Sequence, residues 1–256
     1  MSLRRIETNY YGRPGHKYVL DDKPVLGITT LLSKGIPKPA LPRWAARSAA
    51  EFVADNLAVL NQLPDRESII ATVGQSPWSE RDRAAVRGTD IHALADKLIH
   101  GQPVDVPEDL QGPVDGYVRF LDAWKLQPLL TERPVASRQW WMAGTFDAIF
   151  KLPNGETLLA DWKTSKGVYG DSALQVAAYA NCEFYLDDND TEQPMPEVDG
   201  LAIVHITPTG TDLYRVADPA AAWKDFLHAA WTAKAEDRIK QQLGDPSPAP
   251  GLQVVA

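Results

Sequence analysis

The stretch "MAGTFDAIFKLPNGETLLADWK", residues 142–163, constrains the fold more than any other part of the chain. Two apolar, aromatic-containing runs flank Pro153-Asn154-Gly155, a tripeptide suited to a type I turn closed by a left-handed glycine. A three-residue loop sets residue 152 opposite 156 and so places Asp147 opposite Asp161, on one face of a hairpin. A two-residue Asn-Gly loop would instead put Asp147 opposite Trp162 and separate the acids. Side chains alternate along a strand, so Asp161 and Lys163 share a face while Trp162 takes the other. Alone, Asp-x-Lys recurs by composition about once in a chain of this length, and as a surface ion pair it is worth ~0–1 kcal/mol. Two acids side by side are a different matter. Like charges there are costly unless a cation binds between them, and Mg²⁺ or Mn²⁺ suits oxygen ligands.

The rest of the chain is organised around this hairpin. "NYYGRPGHKYVLDDKPVLGITTLL" reads as a strand pair with Gly/Pro and Asp-Asp turns, giving way to a short helix. The chain becomes helical after Pro42. A second amphipathic helix follows, with Ser79 as N-cap and Gly101 as stop. A third runs over "VPEDLQGPVDGYVRFLDAWKL", where Pro113 either breaks or restarts it. From Pro128 the texture turns to three β-rich runs, then helix over residues 171–186 and an acidic loop that lacks EF-hand spacing. A hairpin over residues 200–217 and a final helix opened by Asp218-Pro219 complete the order. This predicts an α/β core preceded by a helical subdomain. It forms one domain over residues 1–241, with the N-terminal hairpin and helical part at 1–127 and the α/β core at 128–241. Residues 242–256 are expected to be a disordered tail.

Composition narrows the function. No apolar run approaches the ~18 residues of a membrane span, and the opening "MSLRRIETNY" lacks the apolar stretch of a signal peptide. Cys182 is the one cysteine, which excludes an internal disulfide and, by itself, an iron–sulfur cluster or structural zinc. A reducing cytoplasm is the expected compartment. The net charge of −8 is unevenly spread: residues 1–50 hold nine Lys or Arg against three Asp or Glu, a balance of +6, and the remainder holds 17 against 31. A basic surface that meets phosphates accounts for such asymmetry, as does chance.

Three further side chains belong with the acids. Gln175 and Tyr179 are one helical turn apart and share a face directly after Asp-x-Lys. His92 lies on the second helix, four residues after Gly88, and read alone it is a surface or packed histidine. Together, Gly88-x-x-x-His92, Gly144-x-x-Asp147, Asp161-x-Lys163 and Gln175-x-x-x-Tyr179 resemble the PD-(D/E)XK nuclease superfamily. More narrowly, the set is similar to the RecB-type exonuclease branch with its CRISPR-associated and phage-encoded members. The direct resemblance spans residues 88–180, and "ITTLLSKGIPKPALPRWAAR" resembles the opening of the phage members.

The resemblance implies a mixed central sheet flanked by helices and a metal-dependent DNA exonuclease serving phage or bacterial recombination, repair or replication. It implies Mg²⁺ or Mn²⁺ held by His92, Asp147, Asp161 and the Trp162 carbonyl. Lys163 would orient or activate the attacking water, with Gln175 and Tyr179 assisting. The four cysteines that many CRISPR-associated relatives use for an iron–sulfur cluster are absent, so no cluster is expected. No helicase P-loop occurs, so any unwinding motor would be a separate partner protein. A structure-dependent endonuclease and a non-catalytic DNA-binding module remain alternatives on the same fold. For DNA contact the sequence offers Lys34, Lys38, Arg43 and Arg47, with Arg81, Arg83 and Arg87 flanking His92. Lys166 and Tyr169 lie in the loop after the catalytic strand, and Trp44, Trp140 or Trp141 would stack on unpaired bases or serve the core. Backbone contact without base specificity is the expected mode.

Overall fold

A computed structural model of the chain describes residues 2–10 and 13–247. It opens with β1 (Leu3–Tyr10), β2 (Arg13–Leu20) and β3 (Lys23–Gly27), an antiparallel ribbon. Its second turn is Asp21-Asp22, both at positive φ (49° and 60°), as a two-residue hairpin requires. The expected turn at residues 11–12 lies outside the described residues. Helices α1 (Ile28–Gly35), α2 (Ala40–Asp55), α3 (Leu57–Leu60) and α4 (Arg66–Ile99) follow. After a 3-10 turn at Glu108–Leu110 comes α5 (Gln111–Trp124).

The second half holds β4 (Gln127–Ser137), β5 (Met142–Lys151), β6 (Thr157–Lys163) and α6 (Gly170–Ala180). It continues with β7 (Phe184–Leu186), β8 (Glu192–Pro194), β9 (Gly200–Thr207), β10 (Gly210–Arg215) and α7 (Pro219–Ile239). The fold is α/β, a mixed central sheet flanked by helices. Among the described residues no helix is long and apolar enough to cross a membrane. The tail expected from residue 242 is described only to residue 247; the rest lies outside the described residues.

Three local expectations are corrected. The second helix begins at Arg66, far upstream of Ser79. Asp65, in extended backbone, is its N-cap and accepts from the Ser68 N–H at 2.7 Å, while the Ser79 hydroxyl donates back to Gln75 O within the helix. Pro77 deletes one backbone donor but does not end the helix, because α2 packs against this stretch through Trp44 and Trp78. Helix α6 stops at Ala180, not at 186. Asn181 caps it by donating to Ala177 O at 2.8 Å, and residues 184–186 leave as β7 to pair with β4. The acidic loop is partly strand: β8 pairs with β7, and Asp187 Oδ1 accepts from the N–H groups of Asn189 and Thr191. Pro113 sits in the first turn of α5, where its missing donor costs nothing.

The central strand is β5. Along one edge it is antiparallel to β4. The other edge is shared, with β3 parallel to Met142 and Ala143, and β6 antiparallel from Ala148 to Lys151. Strand β6 then runs parallel to β9, which pairs with β10. Alternation divides the core. Ile149, Leu159, Leu201 and Ile203 face α1, α6 and α7, while Phe150, Leu158, Trp162 and Val204 face α4 and α5. The first layer is tight: a Cβ on Gly35, at the end of α1, would lie 2.0 Å from the Ala229 carbonyl oxygen of α7. Gly35→Ala is therefore expected to push α7 off the sheet and cost about 1–3 kcal/mol of stability, read by urea unfolding. An unchanged midpoint would contradict the close approach.

Candidate metal centre and cleft

The site forms where the two neighbours of β5 part. Leu152 and Glu156 face each other, with the Leu152 N–H donating to Glu156 O at 2.8 Å, and Gly155 is left-handed at φ 92°. Pro153-Asn154-Gly155 is thus the three-residue loop. Ladder pairing continues to Ala148 opposite Ala160, a register that sets Asp147 against Asp161. There the strands diverge. The Trp162 N–H, which has lost its strand partner on that side, donates to Asp147 Oδ2 at 2.6 Å. A strand residue directs N–H and C=O to the same side, so the Trp162 carbonyl also faces the parting.

Asp147 marks a break in alternation as well. Phe146 and Ile149 pack in one core and Ala148 and Phe150 in the other, so the faces switch across Asp147. The β4 ladder pairs Thr131 with Ala148 and Arg133 with Phe146 and passes over Glu132, whose φ is 49°. This brings Glu132 to the site. His92, Glu132 and Asp147 each present a ligand atom, all within 4.8 Å of one another. His92 Nδ1 is 3.4 Å from Asp147 Oδ2, and its ring meets the Trp162 indole edge-on at 6.1 Å. Gly88 allows α4 this approach, since a Cβ there would lie 3.0 Å from Thr164 Oγ1.

Asp161, 2% exposed, stands beside this group in a hydrogen-bonded quartet. Lys163 Nζ lies 2.5 Å from its Oδ2 and donates to Gln175 Oε1 at 2.9 Å. Gln175 Nε2 donates to Asp161 Oδ1 at 2.9 Å and to the Tyr179 hydroxyl at 2.8 Å. Gly144 leaves room for Tyr179; a Cβ would fall 2.5 Å from Tyr179 Cε1. Gly144 is therefore a packing requirement, while a methyl at Gly88 would press on the Thr164 hydroxyl. The sequence missed Glu132, yet a signal existed. A four-residue loop pairing Ser137 with Met142 carries Glu132 opposite Asp147.

These groups line a cleft of about 640 Å³, closed on one side by Arg5, His16 and Tyr18 of the N-terminal ribbon and on the other by α4. Tyr18 ties the ribbon to β5 through Thr145 Oγ1 at 3.0 Å. None of the lysines and arginines offered for DNA contact, nor Tyr169, belongs to the lining. Lys34 pairs with Glu236, Lys38 with Asp171 and Arg47 with Glu51, each at 2.7–2.8 Å. Arg43, Arg87, Lys166 and Tyr169 are exposed. Positive charge inside the cleft comes from Arg5, Lys97 and Lys163. Trp140 packs on Trp223, and Trp141 donates to Pro24 O.

Burial, then the Asp147 charge, pushes Asp161 up to about 6, against the pull of Lys163. Glu132 opens into the cleft, but the surrounding protein, and then Asp147, still raises it to about 7. Burial would lower His92; Asp147 and Asp161 outweigh it and raise the imidazole. The donor set fits a divalent cation. It is oxygen-rich with one imidazole, its carboxylates repel one another, and buried Asp161 Oδ2 has an ion pair but no hydrogen bond.

A carboxyl raised on folding contributes most stability below its unfolded pKa of about 4 and loses it as pH rises through the folded value. Without metal, the Asp161 and Glu132 contributions are lost between about pH 4 and 7. Asp161→Asn should then melt higher than wild type in EDTA at pH 8, by a few degrees at ~2–4 °C per kcal/mol, with the gap closing towards pH 4. A lower melting temperature for the variant at pH 8 would refute this account.

No protein-family model and no curated protein matches the chain. Among solved structures, that of SSO0001 is similar at 16% identity over 85% of this chain and 76% of its own, with a TM-score of 0.31.

Proposed function

We propose that the chain is a divalent-metal-dependent deoxyribonuclease of the PD-(D/E)XK type, acting as an exonuclease on DNA in phage or bacterial recombination, repair or replication. The observation that carries this reading is the convergence of four separated motifs on one parting of the sheet. His92, Asp147, Asp161, Lys163, Gln175 and Tyr179 come from α4, β5, β6 and α6 and line one cleft. A chance set of motifs has no reason to meet.

His92, Glu132 and Asp147 would hold the cation, with Asp161 and the Trp162 carbonyl beside them. A bound Mg²⁺ or Mn²⁺ supplies charge to the scissile phosphate and acidifies water. The chain's own groups do the rest. Asp161 and Gln175 keep the Lys163 ammonium at the cleft, where it positions a water and offsets phosphate charge. Tyr179 fixes Gln175, and the Trp162 indole holds the His92 ring. Backbone contact needs no base-reading element, and partner proteins of a recombination or replication pathway would supply any unwinding.

The test is cleavage of end-labelled linear DNA and closed circles with Mg²⁺ or Mn²⁺. Linear strands should shorten while circles survive, and Asp161→Ala and Lys163→Ala should each lose at least ~10²-fold in rate. Equal cutting of circles would replace exonuclease by endonuclease. Wild-type rates in either variant would refute the assignment of the site.

A further inference from the structure

Helix α4 carries more than His92. At 3.6 residues per turn, Trp78, Arg81, Ala85 and Gly88 fall within about 40° of the direction of His92. Ala85, Gly88 and His92 line the cleft, so this stripe leads out of it toward the helix N-terminus. Arg83 and Arg87 point well away from it by the same geometry, which singles out Arg81 among the three arginines. The Arg81 guanidinium lies 4.8 Å from the centroid of the Trp78 ring, and Trp78 meets Trp44 of α2 at 6.5 Å, edge to face. Trp78 is 37% exposed and the Arg81 side chain 50%. Helix α2, which packs on α4, buries none of its residues.

We propose that Trp78 and Arg81 form a holding site for the single strand that runs out of the cleft along α4. An exposed indole beside a guanidinium suits an unstacked base with its phosphate. A duplex would offer the arginine its phosphates but leave the indole without a partner. Fourteen residues separate Trp78 from His92, about 21 Å along the helix. That span takes about six nucleotides at the 3.4 Å spacing of a stacked strand, and fewer if the strand is stretched. The direction of the strand rests on the nuclease reading above; the holding site itself does not.

The experiment is fluorescence anisotropy of labelled oligothymidylates of four, eight and sixteen nucleotides with the full chain, in EDTA so that nothing is cut. Wild type should bind the two longer strands alike and the shortest at least about tenfold more weakly. Trp78→Ala should bring the longer strands down to the level of the shortest and leave the shortest unchanged, while Trp78→Phe keeps the step. Arg81→Ala should weaken the longer strands and lower the salt slope by about 0.7. The proposal is overturned if Trp78→Ala binds the sixteen-mer like wild type, if all lengths weaken equally, or if blunt duplex of equal length binds more tightly. Cutting without a Trp78-dependent length step would leave the nuclease standing and remove the holding site. The length step without cutting by any metal would do the reverse.

Discussion

Everything at the site depends on how one edge of β5 is shared. Strand β3 takes its beginning and β6 its end, and the two neighbours part at residues 144–147. A parted sheet leaves backbone polar groups without partners, which is unfavourable in a buried place. Asp147 resolves this by accepting the Trp162 N–H with its carboxylate. The same side chain then closes the gap in the ladder and faces His92 and Glu132. The candidate ligand cluster is positioned by the same hydrogen bond that ends the strand pairing. Helices and strands, not loops, carry every member of it, which sets its geometry in advance of any ligand.

The electrostatics follow from that placement. Three carboxylates and an imidazole meet where the buried Asp147 and Asp161 adjoin the open cleft, and Lys163 answers only one of them directly. The protein would be more comfortable with some of these groups neutral, as the raised values of Asp161 and Glu132 indicate. Stability is being given up locally, and the surrounding packing carries the deficit. Tyr179 against Gly144, the Trp162 indole against His92, and α1 against α7 all belong to a core that tolerates little change in volume.

Much of this was legible in the chain because the hairpin grammar is local. Pro-Asn-Gly dictated loop length, loop length dictated register, and register brought the two acids together. Gln175 and Tyr179 were legible for the same reason, since one helical turn sets their common face. What escaped was non-local or strained. Glu132 reaches the site through a left-handed residue in β4, which period-two alternation does not anticipate. The start of α4 was misplaced because Pro77 and Ser79 look like a boundary, and only the packing of α2 on that stretch keeps the helix whole. The short strands β7 and β8 draw their pairing from β4 and from each other, not from their own composition. The basic residues near the N-terminus were counted correctly, but charge counting does not say which of them have acidic neighbours.

The turn at Pro153-Asn154-Gly155 lies on the surface, where insertions and deletions are usually harmless. Here its length is coupled to Asp147 and Asp161, each six positions from the turn. Gaining or losing one residue would slide β6 by one step, turn Asp161 away from Asp147 and drive the Trp162 indole toward the opposite layer. Point substitutions in the turn would be forgiven as long as its count and its left-handed glycine survive. A lineage of such chains is thus free to drift in the composition of this turn but not in its length.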